Sequence, residues 1–348
     1  MDMTLLGKTI GDGRPCFIIA EAGLNHNGDM GIAKKLIAAA KDAGCDAVKF
    51  QKREVAELAV GKVLDAPDAR FPAFGATYRK IREHLEFDRA EFGELIACAR
   101  EHALPFFCTA FDIPSLEFLE SLGMSAYKLA SHSLTNLPLL ERAAALGKPV
   151  VLSTGMAHLE EVDRAVEIFK RGGSPLALLH CVSSYPTPPE QANLRAMDTL
   201  RARYGVPVGY SGHELGTLAT LAAAARGAGI VERHVTLDRA MPGFDHKLSV
   251  APDELKLMVR QIREIELSLG DGRKTLLPVE QVTRDKYHVS WATRTSVRAG
   301  QRVTADMLCL RNPGTGIPAF EKSRVLERKA RVDIPADTLL AWDMLEDA

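Results

Sequence analysis

The chain has 348 residues, of which 46% are hydrophobic and 26% are charged, a composition typical of a soluble globular protein with one large domain and a small one. The 44 lysine and arginine residues nearly balance the 45 aspartate and glutamate residues, which excludes a general attraction to nucleic acid or to anionic membranes. No apolar run reaches the roughly 18 residues that a membrane span needs, so no membrane association is expected.

Eight short apolar runs recur along the chain, and each ends in polar residues that are capable of chemistry. In chain order these are Glu21, then Lys49 and Gln51, Thr109, Lys128 and Ser131, Ser153, His180 and Tyr185, Ser211 and His213, and finally Glu232 and His234. Buried parallel strands are continuously apolar, and in a (β/α)₈ barrel the catalytic groups gather where the strands end. The pattern predicts one active site that draws on all eight strands.

Helical stretches lie between these runs, with apolar residues at three- and four-residue spacing. The predicted helices are 31–43, 89–102, 115–122, 137–146, 159–171, 216–226 and 252–269. Strands that alternate with helices favour a parallel sheet, and eight of them suit a closed (β/α)₈ (TIM) barrel of roughly 250 residues. A doubly wound open sheet is the alternative, but the first βα turn, residues 21–28, lacks the G-x-G-x-x-G fingerprint.

Breaks in this alternation divide the chain. Residues 52–85 form a connection that is too long for an ordinary βα loop and is a candidate lid. We expect the barrel at 1–270, a linker at 271–288 and a small β-rich domain at 289–348. Within the small domain, residues 297–308 and 334–345 repeat one pattern at an offset of 37 residues. The repeat predicts a pseudo-symmetric unit, either an independent binding module or a cap over the barrel.

Two histidines form a candidate metal site. His213 lies just beyond strand seven and His234 lies on strand eight, its neighbour in a closed barrel. Two imidazoles at adjacent strand ends can share one divalent cation and leave positions open for water and substrate. Glu232 lies two residues before His234, on the same face of the strand. A single histidine is more often a hydrogen-bonded core residue, whereas the pair favours metal binding.

Two lysines form a candidate anion site. Lys49 and Lys128 lie inside apolar strand runs, with Thr109 and Ser131 between or beside them. Two ammonium groups and hydroxyls at one mouth suit a phosphate. Most lysines only extend to solvent, but lysines within apolar strands fit that role poorly. A Schiff base on Lys128, as in a class I aldolase, is the chief alternative mechanism.

Three acidic residues, Glu21, Glu232 and Asp245, are candidate acid/base groups, although a surface or cap role is the default for any one of them. Asp245 lies in a loop after strand eight that could fold over a substrate. The segment 180–188 offers hydroxyls on a proline-stiffened loop, for which a plain turn is the alternative.

The six cysteines, at positions 16, 45, 98, 108, 181 and 309, are scattered without a C-x-x-C pair. This pattern favours reduced, mostly buried thiols. No basic-then-apolar signal segment stands at the start of the sequence, and a cytoplasmic location is expected.

These motifs together resemble the sialic acid synthase family, the phosphoenolpyruvate-condensing nonulosonate synthases, over nearly the whole chain. The matching segments of the barrel are 17–28, 48–51, 127–131, 152–156, 179–188, 209–213 and 231–238. The C-terminal domain resembles the antifreeze-like (SAF) domain of that family, including residues 310–314. The resemblance implies a (β/α)₈ barrel followed by a SAF domain.

The resemblance also implies an enzyme. Its transferase reaction would join phosphoenolpyruvate to the open-chain aldehyde of an N-acylmannosamine-type sugar, or its 6-phosphate, and give a nine-carbon 2-keto sugar acid and phosphate. By matching position, His213 and His234 would hold Mn²⁺ or Mg²⁺. Glu21 and Glu232 would handle protons and orient water. The phosphoenolpyruvate site would comprise Lys49, Thr109, Lys128, Ser131, Ser153, Ser183 and Ser211.

The acceptor sugar would face Gln51, Tyr185 and Asp245, of which the last two are further catalytic candidates. Arg311 would reach the N-acyl carbonyl from the SAF domain of a partner chain, which implies a homodimer whose chains complete each other's sites. One departure is Ser133, which stands where the family usually presents an acidic residue that contacts acceptor hydroxyls. The identity of the acceptor therefore stays open.

Two other functions also stay open. A related keto-deoxy sugar acid synthase would keep the barrel and phosphoenolpyruvate but would use a pentose or tetrose phosphate as the acceptor. A non-catalytic sugar-binding relative would keep the fold alone, although such a protein has no need of the histidine pair, both lysines and Glu21.

Overall fold

Eight parallel strands close into a barrel in the first of the two compact units of the chain, Met1–Gly270 and Asp271–Ala348. The structure is a computed structural model, and it describes residues 2–326 and 328–346. A hairpin of β1 (Met3–Leu5) and β2 (Lys8–Ile10) comes first. The barrel strands follow as β3 (Phe17–Gly23), β4 (Ala47–Lys52), β5 (Phe106–Ala110), β6 (Tyr127–Leu129), β7 (Val150–Ser153), β8 (Leu176–Cys181), β9 (Val208–Gly212) and β10 (Ile230–His234).

Pairing between the last and first barrel strands closes the sheet. β10 runs parallel to β3, with Ile230 opposite Phe17 and His234 opposite Glu21, and its other edge pairs with β9. A doubly wound sheet would leave two open edges, and that alternative is excluded. The predicted (β/α)₈ barrel is confirmed.

Helices surround the barrel and connect its strands. They are α1 (Met30–Asp42), α2 (Gly61–Leu64), α3 (Tyr78–His84), α4 (Arg89–Glu101), α5 (Ile113–Ser121), α6 (Leu137–Ala145), α7 (Leu159–Gly172), α8 (Ala196–Tyr204), α9 (Leu218–Ala225) and α10 (Pro252–Leu269). Asp29, Asp88 and Asp112 begin α1, α4 and α5, because each carboxylate accepts a hydrogen bond from a backbone N–H of the first turn.

Helix α8 is absent from the predicted set. Its sequence is largely polar, and its buried residues are Met197, Leu200 and Tyr204. Their spacing of three and four residues is helical, and it is the pattern that identifies this helix in the sequence.

Inside the barrel, an apolar layer lies below a polar one. Ile19, Ala47, Phe107, Val151 and Ile230 belong to one buried cluster. Each lies two residues before one of the polar residues Glu21, Lys49, Thr109, Ser153 and Glu232. Side chains two apart on a strand point to the same side, so the polar groups stand directly above an apolar floor.

The N-terminal hairpin closes the lower end of the barrel. Met3, Leu5 and Ile10 pack into the same buried cluster as Phe17 and Ile230, which begin their strands. The sequence pattern does not predict this hairpin, because each of its strands has only three residues. The floor of the barrel is therefore covered from below.

The long connection after β4 is folded and contains α2 and α3. Leu24, Ile81 and Leu85 form a small apolar cluster, against which Phe71 and Phe244 pack. The rings of Phe71 and Phe244 meet edge to face, with centroids 4.7 Å apart. The predicted lid segment thus packs against the loop that follows β10.

The second unit contains α11 (Gln281–Tyr287), β11 (Ser290–Thr293), β12 (Leu308–Arg311) and α12 (Lys322–Val325), and β11 pairs with β12 in antiparallel fashion. Helix α11 lies within the segment 271–288 that the sequence predicts as a linker. A small antiparallel β-rich domain after the barrel agrees with the predicted fold class.

The repeat within this unit has a structural counterpart. Val297 and Ile334, which are equivalent in the two copies, exchange both backbone hydrogen bonds at 2.8 Å. Each copy then ends in one turn of 3₁₀ helix, at Ala305–Met307 and Trp342–Met344. Reciprocal pairing of equivalent residues is what a two-fold relation between the copies requires. In neither unit does a helix of the described residues have the length and apolar character to cross a membrane.

Candidate active site

The register of the barrel brings the polar strand ends to one rim. Glu21 is paired with His234 on one side and with Lys49 on the other. Thr109 pairs with Lys128 in the same way. Neighbouring strands therefore place these side chains side by side around the mouth, as the carboxyl ends of a parallel barrel do.

A cavity of about 430 Å³ opens at this rim, and we call it the mouth cavity. Its lining includes most of the barrel residues that the sequence predicts for the site: Glu21, Lys49, Gln51, Thr109, Lys128, Ser131, Ser153, Ser183, Tyr185, Ser211, His213, Glu232, His234 and Asp245. The lining also contains Leu24, Arg53, Arg82, Phe111, Ala130, His132, Met156, Cys181 and Phe244, which the sequence does not predict.

Three residues singled out in the sequence do not line this cavity. His180 is buried on β8 and is absent from the lining. Arg311 lies at the end of β12 in the second unit, where its side chain is exposed and its Nε is 3.8 Å from a carboxylate oxygen of Asp337. Ser133 is fully buried, and its Oγ donates a hydrogen bond of 3.3 Å to the carbonyl oxygen of Phe111. Ser133 is therefore turned away from the cavity and contributes no charge to it.

Four buried charges form the inner end of the mouth cavity: Glu21, Lys49, Lys128 and Glu232. Lys49 is ion-paired with Glu21, and its Nζ is also 3.6 Å from Glu232. The Nζ of Lys128 lies 3.6 Å from the other carboxylate oxygen of Glu232. Two cations and two carboxylates alternate here, so the buried charges balance one another.

Hydroxyl groups complete the inner end. The Nζ of Lys49 donates to Thr109 Oγ1 at 2.8 Å, and that of Lys128 donates to Ser153 Oγ at 2.7 Å. Ser211 Oγ donates to Glu232 at 3.1 Å. Each charged group is thus held by a neighbouring strand, which fixes its position before any ligand binds.

The pKa values of the two carboxyl groups, Glu21 and Glu232, are shifted in opposite directions. Burial raises the pKa of Glu21. Burial acts on Glu232 in the same direction, but Lys128 and Lys49 outweigh it and lower the pKa of that carboxyl. Two neighbouring carboxyls whose pKa values are pushed apart are typical of sites that need one proton carrier and one permanent carboxylate.

The lysines differ in a similar way. Burial lowers the pKa of Lys128. At Lys49 the effect of burial is outweighed by Glu21 and Glu232, which raise its pKa. Lys49 is therefore the more firmly charged of the two ammonium groups.

The two histidines fit the binding of a divalent metal ion. Their ring centroids lie 5.4 Å apart. Nδ1 of His213 is 2.9 Å from the carbonyl oxygen of Val182 and acts as the donor, which leaves Nε2 with a free lone pair. Nδ1 of His234 is buried without a hydrogen-bond partner, and burial lowers the pKa of this ring to about 4, so the imidazole is neutral as ligation requires.

The donor set is a pair and not a closed cage. Within residues 2–326 and 328–346, no group of three or more His, Cys, Asp or Glu side chains is arranged to hold a metal ion. The nearest carboxylate of the loop after β10 is that of Asp245, 3.7 Å from Nδ1 of His234. An ion on the two imidazoles would keep positions for water and substrate, as catalytic sites do.

A buried ion pair behind the rim ties the two histidine strands together. The residue after His213 is Glu214 and the residue before His234 is Arg233, and their side chains form a hydrogen-bonded ion pair of 2.5 Å. Arg233 is fully buried and also donates to the carbonyl oxygen of Glu214 at 2.9 Å. This link fixes the spacing of the two strand ends that carry the imidazoles.

The outer end of the mouth cavity is built mainly from connecting segments: Arg53 and Arg82 come from the connection after β4, and Phe244 and Asp245 come from the loop after β10. The sequence does contain a signal for Arg53. Lys49, Gln51 and Arg53 alternate at a period of two, so Arg53 continues the inward face of β4. Arg82 has no comparable signal, because its position depends on how the long connection folds.

Comparison with known proteins agrees with this fold and shows the family of the chain. The profile of the NeuB family matches residues 36–274, and that of the SAF domain matches residues 290–346. The chain is 38% identical to the N,N'-diacetyllegionaminic acid synthase of Legionella pneumophila, over 97% of each chain. It is 36% identical to the N-acetylneuraminate-9-phosphate synthase of Mus musculus, over 98% of this chain and 95% of the mouse protein.

A solved structure shows the same likeness. The crystal structure of the N-acetylneuraminic acid (sialic acid) synthetase of Leptospira borgpetersenii, in complex with citrate, superposes with a TM-score of 0.72 at 39% identity. The match covers 81% of this chain and 95% of that one. The family profile and the relatives extend over most of the sequence, and the resemblance predicted from the motifs is confirmed: this chain is a member of the NeuB family with a C-terminal SAF domain.

Proposed function

We propose that this protein is a nonulosonate synthase that condenses phosphoenolpyruvate with the open-chain aldehyde of an N-acylmannosamine-type sugar or its 6-phosphate. One C–C bond forms between C3 of phosphoenolpyruvate and the aldehyde carbon. Water adds at C2, the C–O bond to the phosphoryl group is lost from that carbon, and the products are a nine-carbon 2-keto sugar acid and inorganic phosphate. Synthase names of the relatives from Legionella and mouse support this class of reaction.

One observation carries the proposal: two buried lysines, with hydroxyl donors, lie in the same cavity as a pair of imidazoles. Phosphoenolpyruvate carries a phosphate and a carboxylate, and buried ammonium groups are suited to both. Lys49, Lys128 and the hydroxyls of Thr109, Ser153 and Ser211 would bind it, together with Ser131 and Ser183. A protein that only binds neutral sugars has no use for this arrangement.

The carboxylates at the inner end would carry out the proton transfers of the reaction. Glu21 and Glu232 flank the lysines, and they can orient the attacking water and accept its proton. His213 and His234 would hold Mn²⁺ or Mg²⁺, which when bound supplies Lewis-acid polarisation of an oxygen atom. Gln51, whose Nε2 donates to Glu21 at 2.5 Å, couples this end to the part of the cavity that faces the sugar.

For the acceptor we propose Gln51, Tyr185 and Asp245 as contacts within the barrel. We further propose a homodimer in which the SAF domain of one chain caps the barrel of the other. Arg311 is exposed in its own unit, and its guanidinium would reach the N-acyl carbonyl of the sugar. The free thiols of the chain are compatible with the reducing cytoplasm, where we place the enzyme.

Release of phosphate from phosphoenolpyruvate tests the reaction. Chelated protein is reloaded with Mn²⁺ or Mg²⁺ and supplied with N-acetylmannosamine, its 6-phosphate, mannose, a diacetamido hexose, or a pentose or tetrose phosphate. We expect phosphate release and a nine-carbon acid by mass spectrometry with an amino-sugar acceptor. Release with the pentose or tetrose phosphate alone would favour the related keto-deoxy sugar acid synthase, and no release with any acceptor would favour a binding protein.

A second mechanism has one observation in its favour. The pKa of Lys128 is lowered by burial, and a lysine of that kind can form a Schiff base with a carbonyl substrate. Borohydride reduction during turnover separates the two mechanisms. A substrate adduct trapped on Lys128 would replace the metal-assisted mechanism, whereas turnover without any adduct supports it.

A further inference from the structure

Two arginines at the outer end of the mouth cavity have buried donors that no group of residues 2–326 and 328–346 satisfies. Arg53 is 6% exposed, and its Nη1 has no hydrogen-bond partner in the part of the chain that the structure describes. The Nε of Arg82 is likewise buried and unpaired. A buried guanidinium N–H without an acceptor is costly, and such a group usually has a ligand or partner to satisfy it.

Packing holds the guanidinium of Arg53 in place but gives its Nη1 no hydrogen-bond acceptor among the described residues. The group stacks on the ring of Phe111, with 3.8 Å between Cζ and the ring centroid, and its Nη2 donates to Gln51. Its nearest carboxylate is that of Glu86, 3.6 Å from Nη1. Glu86 is shared with Lys52 at 3.1 Å, so one carboxylate serves two cations.

Arg82 is held in a similar way. Its guanidinium lies over the ring of Phe244, 4.3 Å from the centroid, and over that of Tyr78 at 5.0 Å. Aromatic stacking leaves the edge of the guanidinium plane, where the N–H groups are, free to meet an oxyanion. The two rings orient this cation from α3 and from the loop after β10.

The charges at the outer end do not balance. Lys52, Arg53 and Arg82 are cationic, whereas Glu86 and Asp245 are the carboxylates that act on Arg53. Burial and both guanidinium groups, those of Arg53 and Arg82, lower the pKa of His132, whose ring neighbours that of Phe111. The inner end, in contrast, already pairs its two lysines with two carboxylates.

We propose that Arg53 and Arg82 form a subsite for an anionic group, a phosphate or a carboxylate, on the acceptor sugar. The inference rests on the proposed function and narrows its substrate class to charged aldoses. The aldehyde carbon must reach the inner end, so the opposite end of the open-chain sugar points to the outer end. Guanidinium groups bind phosphate and carboxylate with paired hydrogen bonds. An anionic group on the acceptor would supply the negative charge that the outer end lacks.

Three acceptors that differ in one substituent test the subsite. The Mn²⁺-loaded protein is given N-acetylmannosamine, its 6-phosphate or its 6-carboxylate, and consumption of phosphoenolpyruvate is followed. We expect kcat/KM to be about 10- to 100-fold higher for a charged acceptor than for the neutral one, and the better of the two charged sugars identifies the anion. A neutral acceptor that is used as well as both charged ones overturns the proposal.

Binding keeps the subsite testable if the proposed reaction itself fails. In that case none of the three acceptors supports consumption of phosphoenolpyruvate, and calorimetry measures the affinity of the same sugars. Tighter binding of a charged sugar than of the neutral one still supports the subsite, whereas equal affinities overturn it.

A matched pair of variants on one helix locates the effect. Arg82 and Arg79 both lie on α3, but Arg79 is ion-paired with Asp65 at the surface and does not line the cavity. We expect Arg82→Gln to lower kcat/KM for the charged acceptor about 10- to 100-fold more than kcat/KM for the neutral acceptor. Arg79→Gln should change neither.

Arg53 supplies the second variant. Because its guanidinium is buried on Phe111, Arg53→Lys, which keeps the charge, is compared with Arg53→Gln after both are shown to melt like the parent protein. The proposal expects Lys to retain more of the preference for a charged acceptor than Gln does. Arg82→Gln could instead lower kcat/KM equally for the charged and the neutral acceptor, or raise the KM for phosphoenolpyruvate. Either result would show that the arginines do not bind an anionic group of the acceptor.

Discussion

The inner and outer ends of the mouth cavity are built on different principles. At the inner end, Lys49, Lys128, Glu21 and Glu232 project from barrel strands, and each cation already has a carboxylate partner. At the outer end, the cations come from connecting segments, stack on aromatic rings and keep unpaired donors. The charges of the inner end balance without a ligand, whereas those of the outer end do not.

This difference shows how one fold can keep a reaction and vary its substrate. Strand ends are fixed by the register of the barrel, so the catalytic side chains on them have fixed positions. Connecting segments change length and sequence with little effect on the barrel, so contacts placed on them can be altered. Variants of the inner end should therefore reduce turnover or the binding of phosphoenolpyruvate, whereas variants of the outer end should affect the acceptor.

The largest effect is expected for a ligand of the proposed metal ion. His234→Ala should lower kcat by at least about 1,000-fold, because loss of the ion removes several kcal/mol of charge stabilisation. Added Mn²⁺ should not restore turnover, and metal binding measured by calorimetry should be lost. The control is His180→Gln, at a buried histidine on β8 whose Nε2 is 2.8 Å from the carbonyl oxygen of Ala192 and which does not line the cavity. Full activity of His234→Ala would remove the metal assignment.

Removal of an inner lysine comes next. Lys128→Met should raise the KM for phosphoenolpyruvate about 100-fold, since charge-assisted hydrogen bonds to an anionic ligand are lost, with little change in the KM for the acceptor. Steady-state kinetics with each substrate varied in turn measures both constants. Lys148→Met is the control, because Lys148 pairs with Glu120 outside the cavity. A larger rise in the KM for the acceptor than in the KM for phosphoenolpyruvate would contradict the assignment of phosphoenolpyruvate to the inner end.

A smaller effect is expected at the outer end. Asp245→Asn should raise the KM for the acceptor about 10- to 30-fold, because a carboxylate is a stronger acceptor of sugar hydroxyl groups than an amide is. The KM for phosphoenolpyruvate should stay unchanged in the same assays. Asp253→Asn, at the start of α10 and away from the cavity, controls for the loss of one carboxylate. Equal changes in both constants would show that Asp245 acts on the inner end as well.

The smallest effect is expected from the second unit. Arg311→Ala should raise the KM for the acceptor about five- to tenfold, since an exposed guanidinium contributes less than a buried one. Mixing this variant with an inactive His234→Ala chain sharpens the assignment to a partner. If Arg311 completes the site of the other chain, each mixed dimer contains one site in which every residue is native. Activity per chain with an intact His234 then rises on mixing. No rise on mixing would place Arg311 outside the partner's site.

The sequence predicts the barrel and its inner end well, because one periodic rule governs both. Polar residues such as Lys49 and Thr109 end apolar runs, and a closed parallel barrel must bring those ends together. Arg53 obeys the same period-two rule and could have been included. Ser133 is the opposite case: its neighbours in sequence line the cavity, but its own side chain is turned to the carbonyl group of Phe111.

The remaining features depend on long-range packing. Arg82 reaches the cavity because the connection 53–77 folds against Phe244, far away in the sequence. The hairpin of β1 and β2 is stabilised by contacts with the barrel floor and has little local propensity of its own. Such positions follow from tertiary contacts, which one sequence does not reveal.

The hairpin under the barrel has a kinetic consequence. Its apolar side chains fill the lower opening, so ligands of Lys49 and Lys128 arrive and depart through the rim. A sugar held by the proposed contacts Gln51 and Asp245 would lie across that route. If the proposed function holds, we therefore expect the enol phosphate to bind before the sugar, and free sugar at high concentration to inhibit turnover by blocking the entry of the enol phosphate.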